Sequence, residues 1–249
     1  MSKADDRVAL VTGASRGLGR GIAIRLARDG HRVIVNYREN EEAARAVVVE
    51  IEAAGGTAIA IQADVSQPTE VERLIRQSKE RFGPVEVLVN NAGIERSNVL
   101  ARIDPADWDA VIDTNLKSVY LCSRAVIREM TRARWGRIVS MSSVIGRGGS
   151  PGHTNYASAK AGIIGFSRAL AQEVGSRAIT VNVVAPGYIP TDINKRAPAE
   201  LVEQILKDTP LRRPGTVEEV AAAVAYLVSD DAAFVTGQVL GVDGGMYMG

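Results

Sequence analysis

The sequence predicts a doubly wound α/β fold, in which a central parallel sheet of about seven strands is covered by helices on both faces. Two observations support this prediction. Seven short runs rich in β-branched residues recur along the chain, and each is apolar almost throughout, as is typical of strands buried on both faces. Between these runs lie segments with the periodicity of amphipathic helices, and parallel neighbours need such crossover connections.

The predicted strands and helices alternate along the chain. The strand runs, in order, are RVALVTG, RVIVNY, TAIAIQAD, VEVLVNNAG, GRIVSMSS, AITVNVVAPG and QVLGVDGG. Helical periodicity is plain after the third run, where Val71, Leu74 and Ser78 fall on one stripe. We expect Ser66 to cap that helix, with Pro68 in its first turn.

Length and composition favour one domain spanning residues 1–249, because no linker or charge block divides the chain. Apolar residues make up 46% and charged residues 24% of the sequence, which is ordinary for a soluble protein with a sizeable core. A formal charge of +1 gives no general attraction to nucleic acid or anionic lipid. No apolar run is long enough for a signal peptide or a membrane span. We therefore expect a cytoplasmic protein with neither nucleic-acid nor membrane partners.

Metal and thiol chemistry are not expected from this sequence. Cys122 is the single cysteine, and its apolar surroundings indicate a core residue. His31 and His153 are too few and too far apart in the chain to predict a zinc site. The predicted chemistry therefore needs no metal.

Small or polar residues follow nearly every predicted strand. In doubly wound sheets, ligands bind in the crevice beyond the carboxyl ends of the strands, so the functional site is expected there. The residues at these ends are Gly13 to Gly19, Asn36 to Arg38, Asp64, Asn90 to Gly93, Ser142, Ser143, Pro186 and Gly187.

A glycine-rich turn, GASRGLG, follows the first strand and leads into an amphipathic helix. Glycines let the backbone turn tightly and approach a pyrophosphate, and the helix N-terminus presents N–H groups to it. The spacing differs from the commonest Gly-x-Gly-x-x-Gly fingerprint, and a purely structural turn is the alternative. Its place in the first strand–helix unit favours dinucleotide binding. The cofactor-binding residues predicted here are Gly13, Ser15, Arg16, Gly17, Leu18 and Gly19.

The end of the second strand carries residues that distinguish NADP from NAD. Arg38, together with Arg16, can clamp the 2′-phosphate of NADP. Glu39 can instead bind the ribose 2′-hydroxyl of NAD, with both arginines in solvent. The sequence favours NADP (NADPH), bound by Asn36, Tyr37 and Arg38.

Tyr156 and Lys160 lie four residues apart in TNYASAKAG, so a helix would bring both side chains to one face. This spacing is also common by chance on solvated faces. Free tyrosine has a pKa of about 10 and exchanges protons poorly at neutral pH unless a nearby cation stabilises the phenolate. Lys160 can supply that charge, and Ser143 can donate a hydrogen bond to a developing alkoxide. Together the three predict hydride-dependent reduction of a ketone.

These motifs together resemble the short-chain dehydrogenase/reductase family over essentially the whole chain. The resemblance rests on TGASRGLG, NNAG, Asn115 in DTNLKSVY, Ser143, Tyr156, Lys160 and the PG pair at 186–187. The ending VTGQVLGVDGGMYM is most similar to bacterial 3-oxoacyl-(acyl-carrier-protein) reductases of fatty-acid biosynthesis. The resemblance implies a Rossmann fold and a homotetramer.

The resemblance also implies a role for each site residue. Tyr156 would be the general acid, Lys160 would lower its pKa and bind the nicotinamide ribose, and Ser143 would polarise the carbonyl. Asn115 would hold a water that links Lys160 to solvent; without the family, it would be interpreted as a helix-kink or polar-core residue. The other cofactor-binding residues implied are Asp64, Val65, Asn91, Ala92, Gly93, Pro186, Gly187, Ile189 and Thr191.

The family further implies a lid and a docking surface. Residues 188–213 would cover the substrate. Arg134 and Arg177 match arginines near the cleft mouth that dock an acidic carrier protein, although arginines at helix ends also commonly lie in water. Helical segments near 107–133 and 155–175 carry apolar residues on more than one face, as is typical of subunit interfaces.

Three functions remain open from the sequence. NADPH-dependent reduction of a 3-oxoacyl thioester, carried by acyl-carrier protein or CoA, is favoured. The alternatives are an NAD(P)-dependent dehydrogenase or reductase of a small alcohol, sugar or xenobiotic ketone, and a catalytically silent dinucleotide-binding sensor. The complete set of Asn115, Ser143, Tyr156 and Lys160 argues against the silent sensor.

Overall fold

The computed structural model describes residues 6–191 and 198–248, whose strands form one sheet. Seven strands are paired in the order β3-β2-β1-β4-β5-β6-β7, and every pairing is parallel. The strands are β1 Val8–Val11, β2 Arg32–Tyr37, β3 Thr57–Gln62, β4 Val87–Asn90, β5 Gly136–Met141, β6 Ile179–Pro186 and β7 Val239–Val242. This confirms the predicted doubly wound sheet.

Helices cover both faces of the sheet. They are α1 Gly17–Arg28, α2 Glu41–Ala53, α3 Pro68–Phe82, α4 Pro105–Ile112, α5 Ser118–Ala133, α6 Val144–Gly148, α7 Thr154–Val174, α8 Ala199–Asp208 and α9 Val217–Val228. Helices α1, α2 and α9 pack in the core that contains Ala9 and Val11, whereas α3, α5 and α7 pack in the core that contains Val8 and Leu10. Alternate residues of one strand therefore enter opposite cores.

The strand order reverses at β1. Strands β2 and β3 extend to one side of it, and β4 to β7 extend to the other. Because the connections leave β1 and β4 in opposite directions, a crevice opens beyond their carboxyl ends. The glycine turn after Val11 and the NNAG segment at the end of β4 form its two sides.

The start of α3 differs from the prediction in one respect. Pro68 is its first residue, as expected, but the N-cap is Gln67. The hydroxyl of Ser66 does not cap the helix and instead donates to Asp64 Oδ1 at 2.7 Å. The prediction for Ser66 was wrong because the nearer carboxylate forms a local turn with it.

The predicted helix near 107–133 is not continuous. A π-helical turn, Asp113–Lys117, lies between α4 and α5. Such turns are rare and occur mostly at functional sites. This one carries Asn115, so the irregularity lies where the sequence places a catalytic residue.

The lid predicted for residues 188–213 includes residues 192–197, which lie outside the described residues. Its described part contains α8, none of whose residues is buried. The lid and the single-domain organisation stay predictions. Among the described residues, no helix is both long and apolar enough to cross a membrane.

Candidate active site

A cleft of about 400 Å³ opens at the carboxyl edge of the sheet, at the switch point. The structure brings most of the predicted residues together around it, and it adds Ala63, Ile94, Thr114 and Met141, which sequence reasoning missed. Four predicted residues, Ser143, Pro186, Gly187 and Ile189, are not in the lining. The predicted residues in the lining are Gly13, Ser15, Arg16, Gly17, Leu18, Gly19, Asn36, Tyr37, Arg38, Asp64, Val65, Asn91, Ala92, Gly93, Asn115, Tyr156, Lys160 and Thr191.

The glycine turn fits the pyrophosphate of a dinucleotide. Helix α1 begins at Gly17. The side chain of its N-cap residue, Arg16, makes no hydrogen bond to the first amides of the helix. These amides and the positive end of the helix dipole face the cleft, where an anion is favoured. A Cβ on Gly19 would lie only 2.4 Å from Gly13 O, so the turn can fold this closely onto the helix only with glycine.

The two sides of the cleft are joined by a network around Thr12. Its hydroxyl accepts hydrogen bonds from the amides of Asn91 at 2.9 Å and Ala92 at 3.0 Å. The Asn91 side chain donates in return to Thr12 O at 2.9 Å and Gly13 O at 3.1 Å. Sequence reasoning missed Thr12. The available signal was a hydroxyl side chain directly before the glycine turn, at the end of a strand predicted to be buried.

Asn36 also shapes the glycine turn. Its side chain is buried; Oδ1 accepts from the amide of Gly13 at 3.2 Å and Nδ2 donates to Ala63 O at 3.1 Å. These bonds tie the turn to β2 and to the residue after β3. Asn36 thus lines the cleft, while the polar atoms of its side chain are engaged in hydrogen bonds within the protein.

The rim of the cleft carries the residues that bear on cofactor choice. Arg38 Nε donates to Glu39 Oε1 at 3.0 Å, and both side chains are exposed. Arg16 lies in the same lining. A guanidinium suited to the 2′-phosphate of NADP and a carboxylate suited to the 2′-hydroxyl of NAD are therefore present at one place. The choice between NADP and NAD stays a prediction.

Tyr156 lies in the first turn of α7, opposite Ser143 at the start of α6. The Ser143 hydroxyl accepts from the amide of Ile145 at 3.2 Å, and its side chain lies close enough to Tyr156 to affect the phenol. Burial raises the pKa of the Tyr156 phenol well above its ordinary value, the negative charge of Glu95 raises it further, and Ser143 lowers it. In this geometry Tyr156 is firmly protonated, as a proton donor must be.

Lys160 is buried one helical turn from Tyr156. Its ammonium donates to Met141 O at 2.8 Å and lies 5.4 Å from the centre of the Tyr156 ring. Burial lowers the pKa of Lys160 to about 8. The ammonium is bonded to a backbone carbonyl and not to the phenol, and the lowering of the Tyr156 pKa by Lys160 stays a prediction.

Asn115 offers an unpaired acceptor beside Lys160. Its Nδ2 donates to Ile94 O at 2.8 Å and to Val111 O at 2.9 Å, whereas its buried Oδ1 has no partner among the described residues. A Cβ on Gly93 would lie 2.5 Å from that oxygen and 3.6 Å from Lys160 Nζ. A buried acceptor next to an ammonium suits a hydroxyl or water donor, which fits the predicted role.

Arg134 and Arg177, the predicted docking residues, lie at the ends of helical segments. Arg134 directly follows α5 and precedes β5, and Arg177 precedes β6, so both are at the amino edge of the sheet. Arg134 Nη2 donates to Ser176 O at 3.4 Å, which holds the two positions together. Because the cleft opens at the carboxyl edge, neither arginine lies at the mouth of the cleft in the same chain, and their role in docking a carrier protein stays a prediction.

Comparisons with known proteins agree with this arrangement. Residues 13–247 match the family model described as enoyl-(acyl carrier protein) reductase. The 3-oxoacyl-(acyl-carrier-protein) reductase FabG of Staphylococcus aureus strain Mu50 is 50% identical over 96% of this chain and 98% of its own length. The reductases of that name from Synechocystis (50%; 97% and 97%) and Pseudomonas aeruginosa (48%; 97% and 98%) are similarly close.

Proposed function

The chain belongs to the short-chain dehydrogenase/reductase family, and we propose that it reduces a 3-oxoacyl thioester to the 3-hydroxyacyl thioester with NADPH. Relatives about half identical over nearly the full length carry the name of this activity. The observation that carries the proposal is the placement of Ser143 beside Tyr156, one helical turn from the buried Lys160, at the cleft that the glycine turn and the NNAG segment form.

The site favours a keto group over the enoyl group named by the family model. The side chains of Ser143 and Tyr156 lie close to each other, so one substrate oxygen can bind both hydroxyls. A carbonyl oxygen gains negative charge as hydride arrives, and two converging donors stabilise it. A carbon–carbon double bond has no oxygen at the reacting atoms to receive them.

Each residue of the site has a distinct part in this reaction. When bound, the nicotinamide supplies the hydride. Tyr156 donates its proton to the carbonyl oxygen, while Ser143 holds that oxygen within reach. Lys160 supplies positive charge beside the phenolate that forms, and Asn115 Oδ1 orients a donor between Lys160 and solvent so that the proton is replaced.

Cofactor preference follows from the rim of the cleft. Arg38 and Arg16 bind the 2′-phosphate of NADPH, in which case Arg38 leaves its pairing with Glu39. The second candidate function, oxidation of a small alcohol or sugar with NAD, is favoured by Glu39, whose carboxylate also lines the cleft and can accept from a ribose hydroxyl.

The proposal extends to assembly and location. Strand β7 is at one edge of the sheet and is only partly buried, and the apolar residues Phe234, Tyr226 and Leu211 are exposed. These surfaces are suited to contacts between subunits of a homotetramer. The cytoplasm is the location that goes with the proposed activity. An acyl-carrier protein docked at Arg134 and Arg177 would serve the cleft of a neighbouring subunit, since both arginines lie at the amino edge of their own.

Turnover of an acetoacetyl thioester, measured separately with NADPH and NADH, tests the proposal. We expect reduction with a clear NADPH preference, and a large loss of turnover in Tyr156→Phe. A strong NADH preference, with faster oxidation of a small alcohol or sugar, would favour the second candidate. Tight dinucleotide binding without turnover of any carbonyl would mean a silent sensor.

A further inference from the structure

Asn155 is a fully buried residue that lies directly before Tyr156 in the first turn of α7. Its Oδ1 accepts from the backbone amide of Tyr156 at 2.8 Å, and its Nδ2 donates to Arg96 O at 2.9 Å. An N–H group on one side and a carbonyl on the other fix which way round the side-chain amide lies. The proposed mechanism gives this side chain no part.

The start of α7 depends on the Asn155 side chain. The first amides of a helix have no partner within the helix, and a side chain of the N-cap residue commonly binds one of them. The N-cap residue of α7 is His153, whose side chain makes no such bond. Asn155 binds the amide of Tyr156 instead. The backbone that carries the phenol is therefore held by the residue next to it.

The other end of the Asn155 bond lies in the loop after the NNAG segment, residues 94–98. Two residues before Arg96, the carbonyl of Ile94 accepts from Asn115 Nδ2 at 2.8 Å. Asn115 belongs to the π-helical turn between α4 and α5. One short stretch of loop is thus bonded at one end to Asn115 and at the other to Asn155.

Close packing between α7 and the π-helical turn lies further along the helix. A Cβ on Gly162 would lie only 2.7 Å from a methyl carbon of Leu116, so the two elements touch well after Tyr156. The first turn of α7, which carries the phenol, precedes that contact. At the level of the phenol, the Asn155 side chain supplies a link to the loop that Asn115 also binds.

We propose that Asn155 is a positioning residue that sets where the Tyr156 phenol lies relative to Asn115, through the loop of residues 94–98. The inference rests on the proposed roles of Tyr156 and Asn115. The proton donor and the residue that helps to replace its proton lie on different elements, and proton transfer needs both to be placed within about 0.5 Å. A buried amide bonded to both sides provides that precision.

Asn155→Asp removes the donor and keeps the acceptor. The introduced carboxylate can still accept from the Tyr156 amide, but it meets Arg96 O as a second acceptor and repels it. In the holoenzyme, kcat for reduction of an acetoacetyl thioester should fall about ten- to a hundredfold, because the proton donor is misplaced. The solvent isotope effect on kcat, measured in H₂O and D₂O, should rise as proton transfer becomes the slower step.

Asn98→Asp is the matched control. Asn98 is exposed in the same loop; its Oδ1 accepts from the amide of Val99 at 3.0 Å, and its Nδ2 donates to Arg102 O at 3.2 Å. The substitution repeats the chemical change away from α7, and the backbone amide of Asn98 keeps its bond to Gly152 O. Here kcat and the isotope effect should stay close to those of wild type. Equal changes in the two variants would overturn the inference.

A purely structural role for Asn155 predicts different data. Fewer molecules would then fold, so turnover would fall in proportion to the NADPH sites counted by fluorescence titration, with an unchanged isotope effect. That outcome would overturn the inference. Asn155→Ser is the second, uncharged variant, to be used if Asn155→Asp does not fold. Its hydroxyl is too short to reach Arg96 O, so kcat should fall with the same rise in the isotope effect.

A second readout needs no substrate. Crystal structures of wild type and Asn155→Asp with NADP⁺ should differ by about 1 Å in the distance from the Tyr156 hydroxyl to Asn115 Oδ1. Such a displacement in an enzyme that reduces no thioester would support the inference and remove only the proposed function. Thioester reduction with an unmoved phenol would contradict the inference alone.

Discussion

The two edges of the sheet bury a positive charge in different ways. At the carboxyl edge, the ammonium of Lys160 is bonded to Met141 O, and burial alone shifts its pKa. At the amino edge, the guanidinium of Arg137 lies 4.4 Å from the Trp135 ring centre and 3.6 Å from Asp230 Oδ1. Burial lowers the pKa of Arg137 as well, but Asp230 counteracts it.

The amino edge is the better compensated of the two. Arg7 also stacks on Trp135, with its guanidinium 3.7 Å from the ring centre, and donates to Asp230 Oδ1 at 3.0 Å. Its hydrogen bond lowers the pKa of Asp230, which therefore stays ionised. Removing one member of a compensated group of buried charges is costly to the fold, whereas a buried charge without a counter-ion has a shifted pKa, as is common at functional sites.

The largest expected effect is at the carboxyl edge. Tyr156→Phe removes the proton donor and nothing else, so kcat should fall about a thousandfold while the dissociation constant of NADPH changes little. Steady-state kinetics and fluorescence titration measure the two. If most of the activity survived, the assignment of catalysis to this edge would be wrong.

The matching change at the amino edge should affect stability alone. Arg137→Met leaves Gly136 O and Ala178 O without their donor, so the free energy of unfolding should fall by about 2 kcal/mol with kcat unchanged in the folded enzyme. Arg20→Met is the control: it removes an exposed ion pair and should cost at most about 1 kcal/mol. Equal losses in the two variants would remove the distinction between the edges.

Lys160→Met should raise the free energy of unfolding at neutral pH, the opposite of the change expected for Arg137→Met. Burial holds the pKa of Lys160 near 8, below its ordinary 10.5, so the charged form destabilises the folded state below pH 8 and this cost is relieved between pH 8 and 10.5. The variant should be more stable at pH 7 by about 2 kcal/mol, since relief of the buried charge contributes about 3 kcal/mol and the donor that Met141 O loses offsets part of it. It should also lose activity. Denaturant unfolding across this pH range checks both; a variant less stable than wild type at pH 7 would contradict it.

The smallest effect belongs to the exposed rim of the carboxyl edge. Arg38→Ala should weaken NADPH about tenfold and leave NADH nearly unchanged, because only NADPH carries a 2′-phosphate. Isothermal titration with each cofactor measures this. Equal weakening of both would show that Arg38 does not contact that phosphate.

The sheet and the location of the site were predictable from the sequence. Buried strands and amphipathic helices have distinct periods, and parallel topology brings the carboxyl ends to one edge. The glycine turn, Tyr156 and Lys160 therefore fall around one cleft, as expected. The local sequence pattern was sufficient here, because the position of each of these residues follows from the helix or strand in which it lies or which it adjoins.

Features that depend on tertiary packing were not predictable in this way. The π-helical turn forms around Asn115, whose side chain bonds Ile94 O across a loop. The effect of Lys160 on Tyr156 depends on how deeply both are buried and on what the ammonium contacts. The edge on which Arg134 and Arg177 lie follows from the strand after each of them, which the family resemblance alone does not state.

The bond between Arg7 and Asp230 joins residues 223 positions apart. Such a long-range contact cannot form on the ribosome until nearly the entire chain has been synthesised. Strand β1 pairs with β2 and β4, both of which come much earlier in the chain than Asp230. The ion pair is therefore added at the amino edge after the centre of the sheet can already form, and its loss should affect folding less than loss of a strand pairing.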